Sequence, residues 1–241
     1  MIIKTRGIVF KSIKYGETSL IVDIYTEEKG LQKYMIHGVR SRKAKTKASL
    51  LQVLSIVDLV AFARENKELN RVKEVRSAHI FQSIPFNIIK GAIGLFIAEV
   101  ARKTIKEREE NKALFQFLLE TILFLDQTEQ AVNNIHLSFL LGLSNFLGIV
   151  PSGDYSKEAP IFDMQEGVFV SEQKTHLHYL EEHFSFLMYQ LLRFPMEESH
   201  QVRISNTERR RLLKKLLDYY HLHIDNMPTI NAHLVLQEVL E

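Results

Sequence analysis

Near Pro85 the apolar pattern of this 241-residue chain changes period, so its two parts must fold by different rules. Before Pro85 the apolar residues alternate: Leu20, Val22 and Ile24 share one parity, with Asp23 and Tyr25 between them. Period two is the surface of a β-strand. After Pro85 the spacing becomes i, i+3, i+4, with Ile88, Ile89, Ala92, Leu95, Phe96 and Val100 on one stripe, the face of a helix. The chain therefore reads as a strand-rich head followed by a helical body, an α+β protein.

Turn chemistry divides the head. Tyr15-Gly16-Glu17, Lys29-Gly30 and Asn66-Lys67-Glu68 separate apolar runs, and Gly30 can take the positive φ of a tight hairpin. Residues 53–62 read as one long apolar strand. Five short strands in about 75 residues favour a small closed barrel over an open sheet. In the body, helical spacing covers residues 85–106, 111–126 and 130–147. Pro151-Ser152-Gly153-Asp154 breaks the pattern. A short hairpin follows, with Ile161-Phe162-Asp163 and Val168-Phe169-Val170 around Gln165-Glu166-Gly167, held by apolar packing of Ile161, Phe162, Val168 and Val170. Helices resume over 178–192, 207–221 and 232–239. Ser205 with Glu208 three residues on matches a capping box.

The charge is as divided as the period. Residues 1–80 carry sixteen Lys and Arg against eight Asp and Glu, a balance of +8, and residues 81–241 carry fifteen against twenty-one, a balance of −6. Arg40, Arg42, Lys43, Lys45 and Lys47 fall within eight residues that contain no acid. Such a loop repels itself unless solvent or a polyanion relieves it. A basic, strand-rich head on an acidic body suits nucleic-acid binding, in which cations release counterions condensed on phosphates. Lys33, on the strand leading to the loop, would add a cation. Tyr34, or Tyr15 or Tyr25, could stack on bases. The plainer alternatives are a solvated loop and tyrosines that pack inside the sheet.

Other chemistry finds little support. The chain has no Cys, which excludes disulfides, thiolate metal sites and Cys nucleophiles. The stretches 88–100 and 135–150 are too interrupted for a membrane span, and the first residues do not read as a secretion signal, so a cytoplasmic protein without membrane partners is expected. No phosphate-binding loop, dinucleotide fingerprint, zinc-protease motif or nucleophile elbow occurs, so no enzyme and no cofactor is expected. The pairs Glu109-Glu110, Glu181-Glu182 and Glu197-Glu198 read as solvated faces. Asp163, His176, His178 and His183 could in principle offer N and O ligands, but surface histidines are the simpler reading and no metal is expected. A second basic run, Arg209-Arg210-Arg211 with Lys214-Lys215, flanks a stripe of Leu213, Leu216, Leu217 and Tyr220. It reads as a docking helix, or as further contact to phosphate or an acidic partner. Arg102 and Lys103 beside the 88–100 stripe offer the same to an acidic peptide with a hydrophobic end, as do Arg209 and Arg210.

At this point the chain resembles the RecO family of bacterial recombination-mediator proteins. G-I-V-F-K-S-I-K-Y-G-E-T-S-L-I-V-D-I-Y-T-E-E-K-G (Gly7 to Gly30) is similar to the family's opening strands and hairpin. H-G-V-R-S-R-K-A-K (His37 to Lys45) resembles its basic loop, and L-L-Q-V-L-S (Leu50 to Ser55) the entry to its fourth strand. G-I-V-P (Gly148 to Pro151) and the C-terminal Y-Y-H-L-H-I and L-Q-E-V-L follow the family plan. The resemblance implies an OB-fold DNA-binding domain over 1–80 and a helical domain over 81–241. It also implies binding of single- and double-stranded DNA, annealing of complementary strands, and recognition of the acidic C-terminal tail of the single-stranded-DNA-binding protein. Members act with RecR to load RecA, without nucleotide hydrolysis. Many carry a four-cysteine zinc site where this chain has the Cys-free region 151–175, so zinc is not carried over. The alternative is a non-catalytic adaptor whose basic barrel binds structured RNA or an acidic protein.

Overall fold

A computed structural model describes residues 2–39, 48–62, 69–106, 108–173 and 175–240. These fall into two compact units, residues 1–87 with 97–127, and residues 88–96 with 128–241.

The first unit is built on β1 (Ile2–Tyr15), β2 (Ser19–Thr26), β3 (Gly30–Ile36), β4 (Ile56–Phe62) and β5 (Leu69–Ser77). They close into a barrel in the order β1-β2-β3-β5-β4. All neighbours run antiparallel except β3 and β5, which are parallel. This is the OB-fold expected for the head. Inward parity fills the barrel with Val9, Val22, Ile24, Tyr34, Leu51, Val57 and Leu59, all close to fully buried. Gly7 is required inside: a Cβ there would lie 2.4 Å from Ile24 Cγ2. Gly30 has φ of 58° at the β2–β3 turn, as its position before the hairpin implied.

β4 begins at Ile56, three residues later than the apolar run implied. A 3₁₀ turn at Ala48–Leu51 precedes it, and Leu54 adopts φ of 75° while donating its N–H to the Val9 carbonyl. The apolar residues before Ile56 therefore plug the barrel end instead of lengthening the strand.

Two helices complete this unit: the C-terminal part of α1 (Ile88–Thr104) and α2 (Lys112–Gln127). Asn111 caps α2 by accepting from the Leu114 N–H at 3.0 Å. Phe115 of α2 stacks on Tyr25, which stacks on Phe10, at centroid distances of 6.3 and 5.8 Å. At the other end of α2 the Asp126 side chain is fully buried. Its carboxylate accepts backbone N–H bonds from Gln82, Ser83 and Ile84 at 2.9 to 3.1 Å, with the His79 imidazole 3.4 Å away.

The second unit is centred on α3 (Ile135–Phe146), buried on nearly all sides. Around it lie a small sheet of β6 (Ile161–Asp163), β7 (Val168–Val170) and β8 (Tyr179–Leu180) in the order β7-β6-β8, then α4 (Glu182–Arg193), α5 (Asn206–His223) and α6 (Ala232–Val239). The sequence pattern placed 178–180 in a helix. Tyr179 and Leu180 instead make the third strand, and α4 starts at Glu182. The capping box of Ser205 and Glu208 forms as expected.

Burial works against the Asp126 charge, but the donors from Gln82, Ile84, Ser83 and His79 outweigh it and hold the carboxyl at about 2, below its ordinary 3.8. A depressed carboxyl stabilises the fold fully above its ordinary value, and the contribution is lost as pH falls toward about 2. Asp126→Asn should therefore cost about 2 kcal/mol near neutral pH. Urea denaturation of both proteins should show the gap narrowing between about pH 4 and 2. A gap constant down to the acid limit would mean that the charge of the Asp126 carboxylate does not stabilise the fold.

Candidate nucleic-acid interface

The five basic loop residues Arg40, Arg42, Lys43, Lys45 and Lys47 lie outside the described residues. Their flanks are well defined. Val39 before them is 3% exposed and Leu51 after them fully buried, both in the barrel core. At the end of β3, Ser19 Oγ and His37 Nδ1 lie 3.1 Å apart. The chain thus enters and leaves the basic segment from anchored positions on the barrel.

Adjacent residues of β3 take opposite roles. Lys33 is exposed, whereas Tyr34 is only 1% exposed and belongs to the barrel core. Burial pushes the Tyr34 phenol up to about 12. The expectation that Tyr34 stacks on a base is corrected: its ring faces inward because Lys33 faces outward. Tyr25 is equally buried, between Phe10 and Phe115. Tyr15, at the end of β1, is 53% exposed and remains able to stack.

Lys33 does find company. It lines a cleft of about 370 Å³ with Arg102, Lys106 and Arg108, one carboxylate among the described residues, Asp23, and the apolar side chains of Leu31 and Ile105. Lys33 from the DNA-binding set and Arg102 from the partner-binding set thus meet in one concavity of the first unit. Lys106 and Arg108 were not singled out from sequence, although their spacing after Arg102 and Lys103 was a visible signal. Lys103 is not among the lining residues; its Nζ pairs with Glu99 one turn back on α1. A larger groove of about 600 Å³ elsewhere on the barrel differs in kind. There Arg6 pairs with Asp58 and Arg76 with Glu74, and Glu27 and Glu28 add further negative charge.

Arg209 is corrected as a partner contact. It is 6% exposed, with Nε donating to Asn134 Oδ1 at 3.1 Å, Nη1 to Asn206 Oδ1 at 2.6 Å and Nη2 to the Ile204 carbonyl at 2.8 Å. Asn134 in turn donates to the Ser199 and Val202 carbonyls, both at 2.9 Å. Arg210 is half-buried and donates to the Gln237 carbonyl at the end of α6. Arg211 and Lys214 are the exposed cations of the run, and Arg211 pairs with Glu181 and lies over the Phe184 ring. Leu213, Leu216, Leu217 and Tyr220 form the buried stripe expected for α5.

The residues at the position of a zinc lobe do not fit zinc. Asp163 Oδ1 accepts from the Gln165 and Glu166 N–H groups, His176 Nε2 sits 3.3 Å from Asp163 Oδ2, and His183 pairs with Glu208 instead. No group of three or more His, Asp or Glu able to hold a metal occurs among the described residues. Aromatic packing holds the hairpin: Phe162 against Phe169 and Tyr219, and Phe169 against Tyr155 and Tyr189, with centroids 5.2 to 6.4 Å apart. Of the four residues expected to hold it, only Phe162 is fully buried; Ile161, Val168 and Val170 are half-exposed.

The head is a closed barrel of OB topology, with the basic sequence 40–47 between β3 and β4 in the chain and a cleft lined by Lys33, Arg102, Lys106 and Arg108 beside β3. Residues 1–81 match the model for the N-terminal part of recombination protein O, and residues 85–229 the model for its C-terminal part. The chain belongs to the RecO family. It is 38% identical over 242 residues to the DNA repair protein RecO of Bacteroides fragilis, covering 100% of both. It is 36% identical over 239 residues to that of Phocaeicola vulgatus and 37% over 241 to that of Flavobacterium psychrophilum, covering 99% of each chain.

Arg209→Ala should destabilise the protein by about 2–4 kcal/mol in chemical denaturation, because it leaves buried acceptors on Asn134 and Ile204 without their donor. Arg211→Ala should cost less than about 1 kcal/mol. Equal small losses would return Arg209 to the set of surface contacts.

Proposed function

We propose that this chain is a non-catalytic DNA-binding mediator of repair and recombination. The observation that carries the reading is the basic segment 40–47, rooted between β3 and β4 of an OB barrel in a chain of the RecO family. Residues 1–80 supply the DNA-binding domain, and residues 81–241 the helical domain. Cations on the loop and barrel neutralise phosphates. With repulsion reduced, two complementary strands, or a strand coated by its binding protein, come together and pair. No bond is made or broken by the protein, so neither cofactor nor nucleotide is needed. The partners in this reading are single- and double-stranded DNA, the acidic tail of the single-stranded-DNA-binding protein, RecR and, indirectly, RecA. The work is done in the cytoplasm, on the nucleoid. The relatives' shared description as DNA repair proteins supports it.

Neutralising Arg40, Arg42, Lys43, Lys45 and Lys47 together should weaken binding to a single-stranded oligonucleotide at least about tenfold at moderate salt and flatten the slope of log affinity against log salt. The same variant should anneal complementary oligonucleotides more slowly than wild type in a fluorescence-quenching assay. Wild-type protein that binds DNA without accelerating annealing would leave the adaptor reading in place.

A further inference from the structure

We propose that His37 is a further phosphate contact of the DNA-binding head, one whose strength changes with pH and whose ring is oriented by Ser19. The inference rests on the DNA-binding reading above and adds to it a residue outside the basic segment.

β2 and β3 pair as far as Leu20 and Ile36, and Ser19 and His37 come next in that register. Their side chains meet there: Ser19 Oγ and His37 Nδ1 lie 3.1 Å apart. Ser19 is 8% exposed and is held on its other side by pairing with Tyr15 of β1. His37 is exposed. One ring nitrogen is thus turned to a buried hydroxyl, which leaves Nε2, across the ring, to the surface. The serine suits either charge state. Its hydroxyl donates to Nδ1 when the imidazole is neutral and accepts from Nδ1–H when it is protonated. In both states Nε2 carries a proton and can donate to an oxyanion.

Pinning the end of β3 explains the bond at Nδ1 but makes no use of Nε2. Its position gives it one. Gly38 turns the chain with φ of 72° and Val39 is fixed in the barrel core, so His37 sits at the root of the basic segment. Arg40 follows three residues later in the sequence, a span of at most about 11 Å. A strand engaged by residues 40–47 therefore passes within reach of the ring. A charged donor grips a phosphate more tightly than a neutral one. The contact is strongest where the imidazole is protonated and weakens as pH rises through its titration. The ionisable groups toward this end of the neighbouring elements are Lys14, Tyr15 and Glu17 of the β1–β2 hairpin and Arg71 and Lys73 of β5, all exposed. Among the described residues none of them pairs with His37.

The test uses full-length protein and single-stranded oligothymidylate, with affinity read by fluorescence anisotropy at about pH 5.5 and about pH 8 and fixed ionic strength. On acidification wild type should gain about two- to fivefold more affinity than His37→Gln does, and its salt slope should steepen by about 1. Ser19→Ala, which keeps the imidazole but not its hydroxyl partner, should lose most of that extra gain. His37→Lys should bind more tightly than wild type at the higher pH. In wild-type protein, where folding of a variant is not at issue, oligothymidylate should shift the ring resonances of His37 in NMR spectra more than those of His183 in the second unit. If wild type binds but gains no more on acidification than His37→Gln, or if the His37 resonances stay in place, His37 is not a contact while the DNA-binding reading stands. A full gain in Ser19→Ala would remove Ser19 from its positioning role. His37 resonances that answer to an acidic peptide but not to oligothymidylate would reassign the ring to a protein partner. Wild-type protein that does not bind DNA would overturn both readings.

Discussion

The first unit depends on one buried carboxylate. Residues 82–84, leaving the barrel after β5, belong to no helix or sheet, so their N–H groups have no regular acceptor. Buried amides left in that state are costly. Asp126 collects all three, and its negative charge strengthens each bond. The effect is positional. With the end of α2 fixed to the barrel exit and Phe115 stacked on Tyr25, α2 is held on the barrel at two places. The segment that carries Lys106 and Arg108 joins α1 to α2. Its placement beside β3, and hence the cleft, follows from that attachment.

In the second unit a cation does comparable work. Arg209 and Asn134 share donors and acceptors so that irregular carbonyls at Ser199, Val202 and Ile204 are satisfied inside the unit. A guanidinium suits this task because its donors are fixed in a fork and its charge persists in a buried setting. The small sheet of β6 to β8 rests on a different principle. Ring-on-ring packing holds it, with Tyr219 also donating to the Ile149 carbonyl at 2.7 Å and His223 Nε2 lying 2.8 Å from the Met164 carbonyl.

Much of this was legible in the sequence, and each failure has a definite cause. The barrel could be read because its strands alternate and its turns carry glycine where positive φ is needed. The pairing of Lys33 with Tyr34 as joint DNA contacts contradicted that same alternation, since neighbours on a strand face opposite sides. Arg209 was legible too: it lies four residues before Leu213 and therefore on the buried stripe, not beside it. The late start of β4 was not legible, because a left-handed Leu54 has no residue-level signature. Nor was the two-residue strand at Tyr179, whose pairing with Asp163 is a tertiary event. The cleft belongs with these. Its walls lie some seventy residues apart in the chain, and only closure of the barrel and attachment of α2 bring them together.

The distribution of charge over the barrel gives the binding surface its direction. An evenly basic barrel would attract a strand in any orientation and hold it nowhere in particular. Here Arg6 and Arg76 in the 600 Å³ groove pair with Asp58 and Glu74, while Lys33, Arg102, Lys106 and Arg108 line the cleft beside β3. In the proposed reading, the strand that leads into residues 40–47 is the side that meets the polyanion. If the chain brings two strands together, as proposed, this asymmetry matters more than total charge. Neutralisation must be strong enough to lower repulsion between the strands, yet confined enough that the bases stay free to find each other. Contact between cations and the backbone would meet both conditions, because it grips phosphates and leaves pairing edges unclaimed.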